Sequence, residues 1–398
     1  MKIMSKNKKI VYLDHAATTY LRPEVIKAMA SFGSDNYGNP SSLYSKGREA
    51  KKALETARSK VAAILGCQPE EIIFEGSGTE SDNHALIGTA YANRGRGNHL
   101  IATVIEHHAV LHACEFLETQ GFEVTYLPVD KDGIVKLEEL EKSIRQETIL
   151  VSVVFANNEI GTVQPIREIS QIIKKKNPKT YLHTDACQAA GFYELKVDEL
   201  GVDLMTINGS KIYGPKGTGL LYVKKGTMIY PFIHGGGQEQ GRRAGTENVA
   251  GIIGLATALE LVQKEKAKEN QRLIKLRDKL ITGLLKIPKT VLNGHPTQRL
   301  PNNVNVTVLD IEGEAMLLHL DEAGICASTG SACSSGTLEP SHVIMALGHP
   351  YEMAHGSMRF SLGHVNTEED IDYLLEVFPP IVEKLRAMSP VNLKNPKS

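Results

Sequence analysis

The sequence predicts an α/β protein, a mostly parallel sheet covered by helices with a smaller α+β region after it. Three patterns carry the prediction. Between residues 71 and 223, short apolar runs alternate with helical stretches, the signature of a parallel sheet buried on both faces. Polar and titratable residues recur directly after those runs, where open α/β sheets bind their ligands. From about residue 290 the periodicity changes to an alternating strand followed by helices.

Residues 11–13 are a short strand candidate that runs into Asp14, His15, Ala16, Ala17, Thr18 and Thr19. Pro23 stands where a first helical residue belongs, ahead of a helix over 24–32. Asn39-Pro40-Ser41-Ser42 is a loop. The next helix reaches Leu65, with Ala50, Ala53, Leu54, Ala57, Val61 and Ile64 on one face and Gly66 as its stop. Residues 71–74 read as a strand, Gly76-Ser77-Gly78-Thr79 as a turn, and 80–92 as a helix. That order offers free backbone N–H groups to a phosphate, although the same turn also serves as a plain N-cap. Strands follow at 100–104, 124–129, 149–155, 181–183, 202–207 and 220–223, with helices at 109–117, 137–144 and 166–176 between them. His234 opens a glycine-rich loop that leads to Asn248. The helical pattern from Val249 towards Leu285 exceeds an ordinary helix and reads as a spine leaving one domain for another, with a break expected near 268–271. Residues 303–309 alternate as a half-buried strand, 313–323 form a helix and 358–362 a strand. Thr367 opens the last helix with acids in its first turn, and the polar tail 391–398 reads as frayed.

Composition narrows the function classes. Hydrophobic content of 41% and charged content of 23% are ordinary for a soluble enzyme. A net charge of −1 offers no bulk attraction to nucleic acid or membranes, and no apolar stretch approaches spanning length. The basic N-terminus lacks the apolar core of a signal peptide, so a cytoplasmic location is expected. The five cysteines, Cys67, Cys114, Cys187, Cys326 and Cys333, are too sparse for a disulfide framework and have no zinc-finger spacing. Cys67 and Cys114 fall in apolar patterns and are expected to be buried. His108 and His112 lie four apart on a helix, but no third ligand stands in register, and they read as ordinary helix residues.

Two stretches carry chemistry. Lys211 follows Asn208-Gly209-Ser210 between two strands, among Gly214, Pro215, Gly217 and Gly219. Most lysines in such a turn are solvated, but one that is held suits an imine with a carbonyl, above all that of pyridoxal phosphate (PLP). Residues 327–340, ASTGSACSSGTLEP, surround Cys333 with Ser, Thr and Gly, which bury little. An unpaired thiol in such a loop is a nucleophile candidate or an incidental loop cysteine.

The motifs YLDHAATT, YGNPSS, GSGTESDN, EHHAVL, NNEIGTVQ, HTDACQ, KIYGPKG, GGGQEQGRRAGTEN, SACSSG and RFSLG, in that order, resemble the cysteine desulfurases of the NifS/IscS type, PLP enzymes of fold type I. The resemblance runs from about Tyr12 to Ser389. It implies a seven-stranded-type, mostly parallel sheet in a large PLP-binding domain, 20–262, and a small α+β domain, 1–19 with 263–398, that carries the catalytic cysteine loop. It implies that Lys211 bonds PLP, Asp185 pairs with the pyridine nitrogen, and His107 stacks on the ring and moves protons. Asn158 and Gln188 match contacts to the ring hydroxyl. Gly78, Thr79, Asn208, Gly209 and Ser210 match the phosphate site, and Thr246 a phosphate contact from the second subunit of a homodimer. Arg359 and Asn39 match substrate-binding residues, Arg359 taking the carboxylate. Cys333 matches the nucleophile that receives sulfur from L-cysteine as a persulfide. No resident metal is implied; Cys333 is at most a transient iron–sulfur ligand.

Two departures stand out. Ser210 occupies the place where the family usually has histidine, and the chain ends soon after Ser389, without the longer tail that housekeeping members use to dock an iron–sulfur scaffold. The sulfur acceptor is then a scaffold, a tRNA-thiolating enzyme or another carrier. The rival readings are an aminotransferase or selenocysteine lyase of the same superfamily, from which Cys333 in SACSSG separates this chain, and a sulfur relay, which has no use for Lys211.

Overall fold

The computed structural model describes residues 9–329 and 340–389. Its main sheet has seven strands: β2 (Ile72–Glu75), β3 (His99–Thr103), β4 (Glu123–Leu127), β5 (Thr148–Ser152), β6 (Tyr181–Asp185), β7 (Leu204–Asn208) and β8 (Gly219–Val223). They lie in the order β2-β8-β7-β6-β5-β3-β4. β8 runs antiparallel to both neighbours, and the remaining pairs are parallel. Parallel neighbours need a crossover, and helices His108–Thr119 and Ile166–Lys176 supply two of them. β7 and β8 need none. They pair Asn208 with Gly219, and the lysine-bearing segment is the loop that closes this hairpin.

The strands are apolar because both faces are covered. Ile101, Val151, Leu182, Met205 and Leu220 face a core shared with helices Ser45–Leu65 and Ile166–Lys176 and the start of a long helix, Val249–Leu284. Ile73, Leu100, Leu150, Leu204 and Leu221 face a second core with Leu86, Val110 and Leu117. Helix Ser45–Leu65 ends as expected at Gly66, which takes the left-handed φ of 73° that glycine tolerates.

The long helix is continuous over 36 residues, with no break at 268–271. Those residues are polar because they cross between cores. Asn270 Nδ2 donates to the Phe192 carbonyl at 2.8 Å, and Arg272 pairs with Glu269 one turn away. The helix then buries Leu273, Leu276, Leu280 and Leu284 in a third core. That core includes a three-stranded antiparallel sheet, β12 (Ser357–Ser361)–β10 (Asn303–Val308)–β9 (Thr290–Leu292), and helix Glu368–Met388. Thr367 and Asp370 form the capping box of that helix. β1 (Val11–Tyr12) pairs in parallel with β11 (Ile325–Cys326), which stitches the N-terminus to this region before it runs to the main sheet.

The segment 80–92, expected as one plain helix, is an α-turn over Gly78–Asn83, a π-helical turn over His84–Gly88 and a last α-turn. The wider turn accommodates buried His84, whose ring pairs with Glu75 Oε1 at 2.5 Å and with the Tyr230 carbonyl at 3.0 Å. Cys114 is buried, but Cys67, just past the stop of its helix, is only half-buried.

Candidate active site

β4 departs to one side of β3 and β5 to the other, so the crevice of the sheet opens at the carboxyl ends of β3, β5, β6 and β7. A cavity of about 360 Å³ lies there, within the size range of small-molecule pockets. The predicted residues Gly78, Thr79, His107, Asn158, Asp185, Gln188, Asn208, Ser210, Lys211 and Arg359 all line it.

Lys211 ends a single 3₁₀ turn, Gly209–Lys211, and its Nζ donates to the Ala17 carbonyl. Two residues on, Tyr213 takes a left-handed φ of 63° with its ring half-buried, fixing the exit of the loop. Asp185 closes β6, and its Oδ1 accepts the Cys187 N–H at 2.8 Å. His107 caps helix His108–Thr119, its Nδ1 accepting from Ala109 N at 3.1 Å, so the neutral ring carries its proton on Nε2. Burial holds its pKa below the ordinary histidine value; Asp185 pulls it up, while His108 and Lys211 push it down. Asn208 Oδ1 accepts a long hydrogen bond from Ser210 Oγ at 3.5 Å, and Gln188 Nε2 donates to the Ala16 carbonyl at 3.0 Å. Ser77 caps the helix at Gly78–Thr79, accepting from Glu80 N at 3.0 Å. A side chain in place of Gly78 would meet Cys187 Sγ at 2.9 Å and Asn208 Nδ2 at 3.0 Å.

Arg359, from β12, is 2% exposed. Its Nη2 donates to Asp14 Oδ1 at 2.8 Å and its Nη1 to the Asn158 carbonyl at 3.1 Å. Its Nε is buried with no hydrogen-bond partner among the described residues.

Gly209, buried between Asn208 and Ser210, does not line the cavity, and two exposed predicted residues do not line it either. Thr246 is exposed on the glycine-rich loop and does not line the cavity. Asn39 is also exposed, with its side-chain oxygen held by Ser41 N at 2.9 Å. Cys333 lies outside the described residues, as does the tail 391–398.

Sequence reasoning assigned no role to Asp14, Asp82 or Cys187, although each lies in a quoted motif. Asp82 lines the cavity and is wholly buried; desolvation, then Asp185, raises its pKa well above the carboxylate range. Cys187 also lines the cavity, and burial pushes its thiol upward. The structure brings His342 to His108, with ring centroids 4.8 Å apart, beside His112 at 5.1 Å. Among the described residues, however, no three ligating side chains are arranged to hold a metal.

The residues fit PLP. A lysine amine, a buried carboxylate and a capped helix start share one cavity of suitable size, and the glycine at the helix start leaves that cavity open. Fold and site together define a PLP enzyme of fold type I. The comparisons agree: residues 11–374 match the aminotransferase class-V family. The cysteine desulfurase IscS of Methanosarcina thermophila is 57% identical over 391 residues, spanning 98% of this chain and 96% of that protein. That of Dictyoglomus turgidum is 54% identical over 384 residues, 96% of this chain and 97% of that protein. A solved NifS-like protein superposes with a TM-score of 0.90 at 40% identity, covering 95% of this chain and all of that one. SspA, solved in complex with cysteine, has a TM-score of 0.79 at 34% identity, covering 88% of this chain and 98% of that one. The chain belongs to the cysteine desulfurases of the NifS/IscS type, and its cofactor is PLP.

Proposed function

We propose that the cavity takes sulfur from L-cysteine, leaving L-alanine and a persulfide on Cys333. The observation that carries this is the convergence of Lys211, Asp185 and Arg359 on one cavity, an amine, an anion and a buried guanidinium for three parts of one amino-acid complex. Bound PLP supplies an electron sink that weakens bonds around the substrate's α-carbon. Lys211 would hold the cofactor and, as a free amine, would move protons. Asp185, fixed by the Cys187 N–H, would pair with the pyridine nitrogen. His107, with its proton at Nε2, would stack on the ring. Gly78, Thr79, Asn208, Gly209 and Ser210 would hold the phosphate, and Asn158 and Gln188 the ring hydroxyl. Arg359 takes the substrate carboxylate, a role suited to its planar fork. The Cys333 thiolate attacks the substrate sulfur: an S–S bond forms, the C–S bond breaks, and the carbon keeps the electron pair and gains a proton, which yields alanine.

Thr246 fits the reading through a second copy of the chain, since it lies on the surface of one copy; a homodimer follows. The assignment of Asn39 rests on the family motif alone. The division into domains 20–262 and 1–19 with 263–398 is supported by the separate cores that meet along helix Val249–Leu284. No helix among the described residues is long and apolar enough to cross a membrane, in keeping with a cytoplasmic enzyme. An iron–sulfur scaffold or a tRNA-thiolating enzyme is the acceptor class.

Loaded protein should convert L-cysteine to alanine and, with a thiol reductant, to sulfide. Borohydride reduction and peptide mapping should place the pyridoxyl group on Lys211. Cys333→Ala should still perturb the PLP spectrum with cysteine while sulfide release falls by orders of magnitude. Full sulfide release by Cys333→Ala would instead make direct elimination, a lyase reaction, the better reading.

A further inference from the structure

After β1 the chain crosses the cavity as a strap, Asp14 to Thr19, whose contacts fall on the residues assigned to cofactor and substrate. The Ala16 carbonyl accepts from Gln188 and the Ala17 carbonyl from Lys211. Thr19 Oγ1 donates to the Ser210 carbonyl at 2.9 Å and accepts from Tyr213 N at 2.8 Å. At the start of the strap, the Asp14 carboxylate accepts from Arg359 Nη2.

That contact decides how Arg359 meets a ligand. The guanidinium carries five N–H donors. Asp14 and the Asn158 carbonyl each accept one from a different terminal nitrogen. The Nε hydrogen and one hydrogen on each terminal nitrogen remain, enough donors for a bidentate carboxylate. Asp14 therefore does not fill the receptor. It pins one corner of the guanidinium while Asn158 pins another, and the unpartnered Nε belongs to a residue that lines the cavity. Glu159, which also feels the Arg359 charge, is already engaged by Ser341 Oγ at 2.5 Å.

We propose that Asp14 is a positioning residue for substrate recognition, holding Arg359 so that its remaining N–H donors meet the substrate carboxylate. The proposal rests on Arg359 being the carboxylate receptor. Without Asp14 the guanidinium keeps its hydrogen bond to the Asn158 backbone carbonyl and can rotate about it, so recognition of the carboxylate weakens while recognition of the amine does not.

The experiment titrates the PLP-loaded protein with L-alanine and with ethylamine, the same amine lacking the carboxylate, and follows the visible absorption. In wild type, alanine should bind tighter than ethylamine. Asp14→Ala should weaken alanine by about tenfold or more and leave ethylamine unchanged. Asp14→Asn, whose amide oxygen still accepts from Nη2, should restore alanine to within about threefold. The cofactor-free protein gives an independent readout: Asp14→Ala should melt at a lower temperature than wild type, because Arg359 stays buried without its anion. Equal weakening of both ligands, or a wild-type preference for alanine that survives Asp14→Ala, overturns the Asp14 assignment alone. Wild-type protein that prefers alanine no more than Arg359→Ala does overturns the receptor role of Arg359, and this proposal with it.

Discussion

Glu106 stands directly before His107 and is wholly buried, with Oε1 accepting from Thr103 Oγ1 at 2.6 Å and from Val154 N at 2.8 Å. Desolvation outweighs these two bonds and pushes its pKa up to about 8, from 4.5 in the unfolded chain. The sign follows from where the proton sits. Below about pH 4.5 both states are protonated and the group contributes its full share of stability. Between 4.5 and 8 the unfolded chain releases the proton while the fold keeps it, so stability falls by about 1.4 kcal/mol per pH unit. The limit is about 5 kcal/mol at pH 8, which relaxation and water entry reduce to a few kcal/mol. Glu106→Gln removes the titration and retains the oxygen that Thr103 and Val154 need. Its new amide hydrogens meet the same partnerless space that Oε2 occupies among the described residues, a cost equal at every pH. The cofactor-free variant should therefore match or fall slightly below wild type at pH 5 and exceed it by several degrees in thermal midpoint at pH 8. A difference that is constant across that range would refute a neutral, buried Glu106.

Further outcomes follow from other contacts. Arg58 and Glu239 form a two-point pair, Nη1–Oε2 and Nη2–Oε1 each 2.8 Å, with side chains 4% and 2% exposed. Glu239→Ala should cost about 3–5 kcal/mol in denaturant unfolding, and Arg58→Met combined with Glu239→Leu much less, because only the single change strands a buried charge. Ser210→His should retain PLP about fivefold better on dialysis, since a charge-assisted bond to phosphate exceeds a neutral one by roughly 1 kcal/mol; unchanged retention would show the phosphate already satisfied. Cys326→Ala should keep sulfide release within about twofold of wild type, because burial, then Asp321 and Asp14, raise the Cys326 pKa and keep the thiol protonated; loss comparable to that of Cys333→Ala would give Cys326 a share in the sulfur path.

These outcomes depend on pairs that the sequence shows unequally. The main sheet was legible because burial on both faces makes each strand a short apolar run, and the site because its residues follow those runs: His107 after β3, Asn158 after β5, Asp185 at the end of β6, Lys211 after β7. Each is a local pattern. Strand direction was not legible for β8, because an apolar run reads the same in either sense and only the short lysine loop dictates an antiparallel return. The expected break at 268–271 failed for a related reason. Polarity there marks a helix passing between two cores, and with no glycine or proline nothing in the backbone ends it. Partnerships were the least legible. Asp14 and Arg359 are 345 positions apart, and Arg58 and Glu239 are 181 apart. Neither carboxylate differs in its neighbourhood from a surface acid, and it is the topology that brings both against arginines. Glu239 shows what that requires of the chain: it takes a left-handed φ of 46°, uncommon for a side-chain-bearing residue, and from there also accepts the Phe74 N–H of β2 at 2.9 Å. The pair thus ties helix Ser45–Leu65 and an edge strand of the main sheet to the glycine-rich loop that carries Thr246. If a second copy receives Thr246, Glu239→Ala should weaken PLP retention as well as stability, although Glu239 lines no part of the cavity. Retention that is unaffected in the folded variant would separate this loop from the cofactor site.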